Sequence, residues 1–313
     1  MAPILAIVAR HVWPVAALSL VAAVTTPAQS PSLTVAIVRF DGYLIPFAAY
    51  ASGRWERAWP AADEGNIHNP TFENTPSVWR QRGQPVPRTW HVWPTTGTRP
   101  LQARVTGVDA LDSGCQTQVA LKTDLSPLTD LLPQDRIALD SGHPVNKIEE
   151  LLSAHAAWKM AERVIVREFS AREAARARTD HVQLPSETPA PPVRIKHLYR
   201  EAHNERSPIY FVAEREYHTE LNASDVGCKA RTTMTGWLIR TGDAQPAISA
   251  SQIFLTDCDG VEVRTASALA VLRLAGRVFW VLEESGYEDT EYLLVEITAS
   301  GIRRRLAVNG GAC

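Results

Sequence analysis

Carboxylates, tryptophans and cysteines are the residues of this sequence whose types and spacing could do chemistry. In Asp257-Cys258-Asp259-Gly260-Val261-Glu262 two aspartates stand at alternate positions ahead of a glycine, with a glutamate just beyond. Oxygen ligands so spaced around a permissive glycine resemble part of a calcium loop, with Asp257, Asp259 and Glu262 as ligands. The residues that complete a twelve-residue loop and its flanking helices are missing, and a turn whose aspartates cap backbone amides is the competing reading. Ca2+ is the one cofactor the sequence suggests.

A second acidic group, Glu283, Glu284, Glu288, Asp289 and Glu291, brackets Ser285-Gly286-Tyr287 between two apolar runs. At a hairpin tip two such carboxylates could act as nucleophile and acid in glycoside cleavage or hold a cation, the ordinary alternative being a solvated turn.

The aromatic candidate is the stretch 60–100, with seven prolines and Trp79, Trp90 and Trp93. Loops of such length are functional or disordered, and the tryptophans argue against disorder. Trp90-His91-Val92-Trp93, read as an extended segment with both indoles on one side, would offer a ligand platform of Trp79, Trp90, His91 and Trp93 for a sugar or peptide. The competing reading has the indoles pinning the loop to the core. Among the histidines, His197 and His203 are spaced poorly for joint metal ligation, and His155 falls on a helix's apolar face as a core residue.

Compact catalytic signatures are missing. There is no Gly-x-Ser-x-Gly, His-Glu-x-x-His, Gly-x-Gly-x-x-Gly, phosphate-binding Gly-Lys-Ser/Thr or Cys-x-x-Cys.

The elements that must position these residues are mostly strands. Residues 33–40 and 43–51 flank Asp41-Gly42, a hairpin signal. Residues 101–108, 118–123, 193–200, 208–218, 228–240, 247–258, 268–274, 278–283, 291–298 and 302–308 alternate or run apolar between turn formers. Apolar or bulky residues at Ile148, Leu151, Leu152, His155, Trp158, Ala161, Ile165 and Phe169 predict one long helix, with Asn146 and Glu149 as its capping pair. Prolines then make 181–192 an extended linker.

The expected fold is mainly β (α+β), with antiparallel β modules and one long helix inserted. The modules are 29–140, carrying the 60–100 loop, and 193–313, on either side of a helix in 141–180. A small or irregular β-propeller is the alternative, suggested by the echo between Gly53-Arg54-Trp55 and Gly276-Arg277-Val278-Phe279-Trp280 and closed by residues 33–40 beside the final strand.

Residues 1–28 have the layout of a secretory signal peptide: Arg10-His11, an apolar run 12–24 and the small-residue segment Thr26-Pro27-Ala28. The run is too short and too interrupted by Pro14 to span a bilayer, so no stable membrane insertion is expected after cleavage. Removing it leaves 31 basic and 34 acidic residues, a charge of −3 that argues against a sequence-independent grip on nucleic acid. In an exported chain four cysteines are expected to pair. A symmetric hairpin centred on Asp243 sets Cys228 against Cys258, leaving Cys115 for Cys313.

Together these features predict a secreted or periplasmic, disulfide-bonded, β-rich binding or structural module with a glycan or protein partner. An exported glycan or peptide hydrolase using carboxylates and a cell-envelope assembly component are the alternatives.

Overall fold

The computed structural model describes residues 32–58, 88–93, 99–112, 117–125, 137–185, 189–222, 225–240, 245–256, 265–286 and 289–310. Within them the chain is mainly β with one helix, and every strand pairing is antiparallel.

The N-terminal part is a barrel. Strands β1 (Leu33–Val38), β2 (Leu44–Ala51), β3 (Arg54–Arg57), β4 (Thr89–Val92), β5 (Leu101–Asp112), β6 (Thr117–Thr123) and β7 (Ile137–Leu139) run in the order β1-β7-β4-β5-β6-β2-β3, and β1 also pairs with β2. That extra pairing closes six strands on themselves and leaves β3 attached outside. Alternation sends Ala36, Val38, Leu44, Trp90, Val92, Ala103, Val119 and Leu121 into one interior cluster, so side chains fill the barrel. The hairpin expected at Asp41-Gly42 is there. Arg39 and Tyr43 bracket it, and Gly42 takes φ +85 where its amide bonds Arg39. The expected 60–100 loop is not continuous loop, because β4 lies within it; Trp90 and Val92 alternate inward there as a strand requires.

Two further sheets follow. The first comprises β8 (Val145–Asn146) with β14 (Thr265–Leu274), β15 (Arg277–Ser285), β16 (Thr290–Thr298) and β17 (Gly301–Asn309), in the order β17-β16-β15-β14-β8. The second comprises β9 (Ile148–Glu150) with β10 (Arg194–Glu201), β11 (Ile209–Asn222), β12 (Asp225–Ile239) and β13 (Ala247–Thr256), in the order β13-β12-β11-β10-β9.

The molecule is a stack of four layers: barrel, β14–β17 sheet, β10–β13 sheet, helix. The β14–β17 sheet is covered on both faces. Phe279, Val281, Tyr292 and Leu294 meet Val35, Ile37, Phe47 and Tyr50 of the barrel, while Trp280, Leu282, Leu293 and Val295 meet Tyr210, Val212 and Trp237 of the other sheet. This explains why its strands read as unbroken apolar runs. The far face of the β10–β13 sheet, with Leu198, Phe211, Ala213 and Met234, receives Ala161, Val164, Ile165 and Phe169 of helix α1 (Ala156–Asp180). The propeller alternative does not describe this arrangement: the sheets stack face on face, and β1 pairs with β2 and β7, not beside the final strand.

The echo between the two Gly-Arg turns has a different meaning. Ser52-Gly53 and Ala275-Gly276 each close a two-residue hairpin with positive φ at both positions (51 and 79; 50 and 73), the primed turn that matches strand twist. The two hairpins meet: the Arg277 guanidinium donates to the Gly53 carbonyl at 2.9 Å, and the Trp55 ring stands edge-on to Phe279 at 5.4 Å.

The helix starts nine residues later than the Asn146 cap predicted, with His155 as its cap. Val145–Asn146 pairs with β14 and Ile148–Glu150 with β10, burying Ile148 between the sheets and leaving Leu152 exposed. The apolar spacing across 148–155 is therefore that of a segment touching two cores in turn, and the expected helix in 141–180 occupies only its later part. His155 is not a core residue either. It is exposed and caps α1, its ring Nδ1 accepting from the Ala157 amide at 3.1 Å. The other end stops at His181 in the left-handed region, φ 56.

Candidate functional site

Segment 145–150 crosses from one sheet to the other and so closes one side of the two-sheet sandwich. The opposite side lies between edge strands β13 and β17, and a cleft of about 260 Å³ opens there. Alternation decides what lines it. From β11 and β12 come Tyr210 and Trp237, whose rings lie 4.9 Å apart, and Trp237 in turn stands edge-on to the buried Trp280 at 5.0 Å. Leu282, Leu293 and Val295 complete an apolar floor, and Thr235, Ser251, Gln252, Glu284 and Arg304 supply polarity. Arg304 is fixed by a 2.6 Å bond to Glu291.

Tyr210 is the most deeply set of the cleft's residues with a titratable group. It is 2% exposed, and its hydroxyl has no partner in hydrogen-bonding geometry among the described residues, although Thr235 lies alongside. Burial first, and the nearby Glu284 carboxylate second, push its pKa well above the ordinary phenol value. The residue lines the cleft, while its hydroxyl is buried out of reach of it. Gly236 permits the close packing behind it: a Cβ there would stand 2.5 Å from the Ala250 carbonyl oxygen and 2.9 Å from the Phe211 ring.

The expected aromatic platform is not built. Trp90 is fully buried inside the barrel, Trp93 packs half-buried on the barrel's face toward the β14–β17 sheet, His91 is half-buried in β4, and Trp79 lies outside the described residues. Period-two alternation puts positions 90 and 93 on opposite faces, so the two indoles cannot share a ligand. Alternation also divides the acidic pair: Glu284 follows Trp280 and Leu282 toward the cleft, whereas Glu283 lies on the face of Phe279 and Val281. Glu288 lies outside the described residues, as do Asp257, Asp259 and Glu262 of the calcium reading. No group of three or more metal-ligating side chains occurs among the described residues.

Of the cysteines, Cys115, Cys258 and Cys313 lie outside the described residues, and Cys228 is described only as backbone in β12. The symmetric register that sets Cys228 against Cys258 holds for Ile239–Ala247 and Leu238–Ile248. A bulge at Trp237/Leu238 then offsets the ladder by one residue, giving Trp237–Ala250 and onward to Arg231–Thr256.

Two arrangements escaped the sequence reading. His197, discounted as a metal ligand, places Nδ1 2.6 Å from a Glu150 carboxylate oxygen and stacks on Tyr199 at 5.6 Å. Burial and Glu150 raise the Tyr199 pKa to about 12. The pair is exposed and forms where β9 meets β10. A second cavity of about 240 Å³ lies at the start of α1, lined by His155, Met160, Arg200 and Arg240, with Arg200 held by Glu149 at 2.5 Å. Apart from Glu284, the cleft residues stood out nowhere in the sequence, since they come from six strands that only sheet stacking brings together.

Comparison with protein-family models, with curated proteins and with solved structures gives no match to this chain.

Proposed function

We propose that this chain is an exported β-rich binding module whose contact site is the cleft between its two C-terminal sheets. The observation that carries the reading is the concave site itself, whose apolar floor of Tyr210, Trp237, Leu282, Leu293 and Val295 is accompanied by a few polar groups from Thr235, Gln252, Glu284 and Arg304. Export rests on the leader-like sequence of residues 1–28, and the pairing of its cysteines on that same destination.

The carboxylate-hydrolase alternative loses its nearest pair, because Glu283 and Glu284 lie on opposite faces of β15. The envelope-assembly alternative would use the outer surface instead of the cleft.

A thermal-unfolding screen of the oxidised chain from Gln29 onward against small apolar molecules, oligosaccharides and peptides tests the reading. A ligand at 100 times its Kd adds about 2.7 kcal/mol. Stabilisation that is lost in Trp237→Ala supports the cleft, and stabilisation that survives it moves the site elsewhere. Recovery of a chain beginning near Gln29 from outside the cytoplasm checks export; a full-length cytoplasmic chain refutes it.

A further inference from the structure

We propose that the outward face of helix α1 docks peripherally on an anionic lipid bilayer, through a surface independent of the cleft. The helix is the last layer of the stack, so its side away from the β10–β13 sheet forms one end of the molecule. Three observations point to that partner.

The first is charge. Lys159, Arg163, Arg167, Arg172, Arg176 and Arg178 stand on α1 against Glu162, Glu168, Glu173 and Asp180, and Glu173 is buried beneath the helix with Arg215. Six basic less three accessible acidic residues leave +3 on the accessible part of this one helix, in a chain whose formal charge is −2. Each stacked sheet is about 10 Å thick and the Debye length is about 8 Å, so the charges of the two deeper layers are screened at this face.

The second is arrangement. Buried residues of α1 recur every four positions at Ala161, Ile165, Phe169, Glu173 and Ala177. Lys159, Arg163 and Arg167 keep the same interval two positions earlier, about 200° round the helix, and all three are exposed. They form an outward basic stripe about 12 Å long. Like charges four residues apart repel. Among the described residues Lys159 and Arg163 make no ion pair, and Arg167 reaches only its neighbour Glu168, at 3.4 Å. Lipid phosphates would relieve the repulsion, and a guanidinium pairs with phosphate through two parallel hydrogen bonds.

The third is apolar exposure. Among the described residues five large hydrophobic side chains are exposed, and three of them belong to this region: Val166 between Arg163 and Arg167, Leu152 just before the helix and Val182 just after it. Aliphatic groups set among cations suit the boundary between head groups and acyl chains. A nucleic acid or an acidic peptide would satisfy the cations but leave the aliphatics in water.

The test uses the chain from Gln29 onward, which keeps every described residue and removes the apolar run 12–24 with its own affinity for lipid. It is mixed with vesicles of phosphatidylcholine alone or with about a third phosphatidylglycerol, and the bound fraction is read by sedimentation. Binding is expected to the anionic vesicles only, and to weaken about tenfold or more between about 0.1 M and about 1 M salt. In Lys159→Gln/Arg163→Gln/Arg167→Gln, which keeps long helix-forming side chains, the partition coefficient should fall about 100-fold, each cation supplying about fivefold. Val166→Gln keeps every charge and should lose about 3–10-fold. Circular-dichroism melts verify that both variants are folded. No binding to anionic vesicles at low salt, equal binding to both vesicle types, or binding that survives the triple substitution overturns the proposal. Tighter binding to a DNA duplex or to polyglutamate than to anionic vesicles, or unchanged binding of Val166→Gln, makes the partner a polyanion and overturns the bilayer. Every one of these outcomes leaves the cleft reading as it stands.

Discussion

Glu296→Gln is the most informative single perturbation of the scaffold, because Glu296 ties the barrel to the sheet that carries the cleft. Its carboxylate, 5% exposed, accepts from Arg277 Nε at 2.7 Å, from Arg277 Nη2 at 3.0 Å and from Arg305. Arg277 continues to the Gly53 carbonyl of the barrel and lies over Phe279 at 4.9 Å. Hydrogen bonds from Arg277 outweigh the cost of burial and lower the Glu296 pKa from 4.5 to about 2. Taken whole, at 1.36 kcal/mol per pH unit, the shift is worth about 3 kcal/mol. Both guanidiniums are about a third exposed and partly screened by water, which brings the expected contribution to about 1.5–2 kcal/mol.

The sign follows from linkage. A carboxylate whose pKa is depressed on folding adds stability above its unfolded pKa, and that stability drains away as pH falls toward the folded value. The difference between wild type and Glu296→Gln should therefore be full at pH 7, about 60% of that at pH 3.5, and down to about a tenth at pH 2. Urea unfolding of both proteins at several pH values reads it as a difference in midpoint with unchanged slope. A difference that is constant from pH 7 to pH 3.5, or no difference at pH 7, refutes the reasoning.

Phe169→Ala empties the centre of the helix–sheet core, where Phe169 is fully buried, and should cost about 3–5 kcal/mol with loss of helical signal preceding loss of strand signal on urea titration. Gly236→Ala drives a methyl toward the Ala250 backbone oxygen 2.5 Å away and the Phe211 ring 2.9 Å away, so a destabilisation of about 1–3 kcal/mol is expected in a thermal melt. Ala275→Asn places a residue suited to the left-handed region at φ 50, beside Gly276, and should raise stability by about 0.5–1 kcal/mol; a loss would mean that this hairpin does not use the primed turn.

What the sequence by itself determined is local. The strands from 193 onward, the two-residue turns, the Asp41-Gly42 hairpin and the later part of the helix are legible because alternation, glycine placement and the Ala161, Ile165, Phe169 stripe are properties of neighbouring residues. Even the separation of Arg304 from its neighbours follows from period two: Arg304 reaches Glu291 and Arg305 reaches Glu296 on the other face. Tertiary structure decided the rest. Ile148 and Leu151 read as one helical stripe, yet they fill two different cores, because segment 145–150 is captured by two sheet edges whose positions no local window contains. Trp90 reads as a binding residue only while its strand is unrecognised; once β4 joins β5 and β7 its indole has nowhere to go but the barrel interior. The cleft was the least legible feature of all. Its floor is drawn from four strands and spans up to 85 residues of sequence, a matter of long-range packing with no signature in the sequence around position 210.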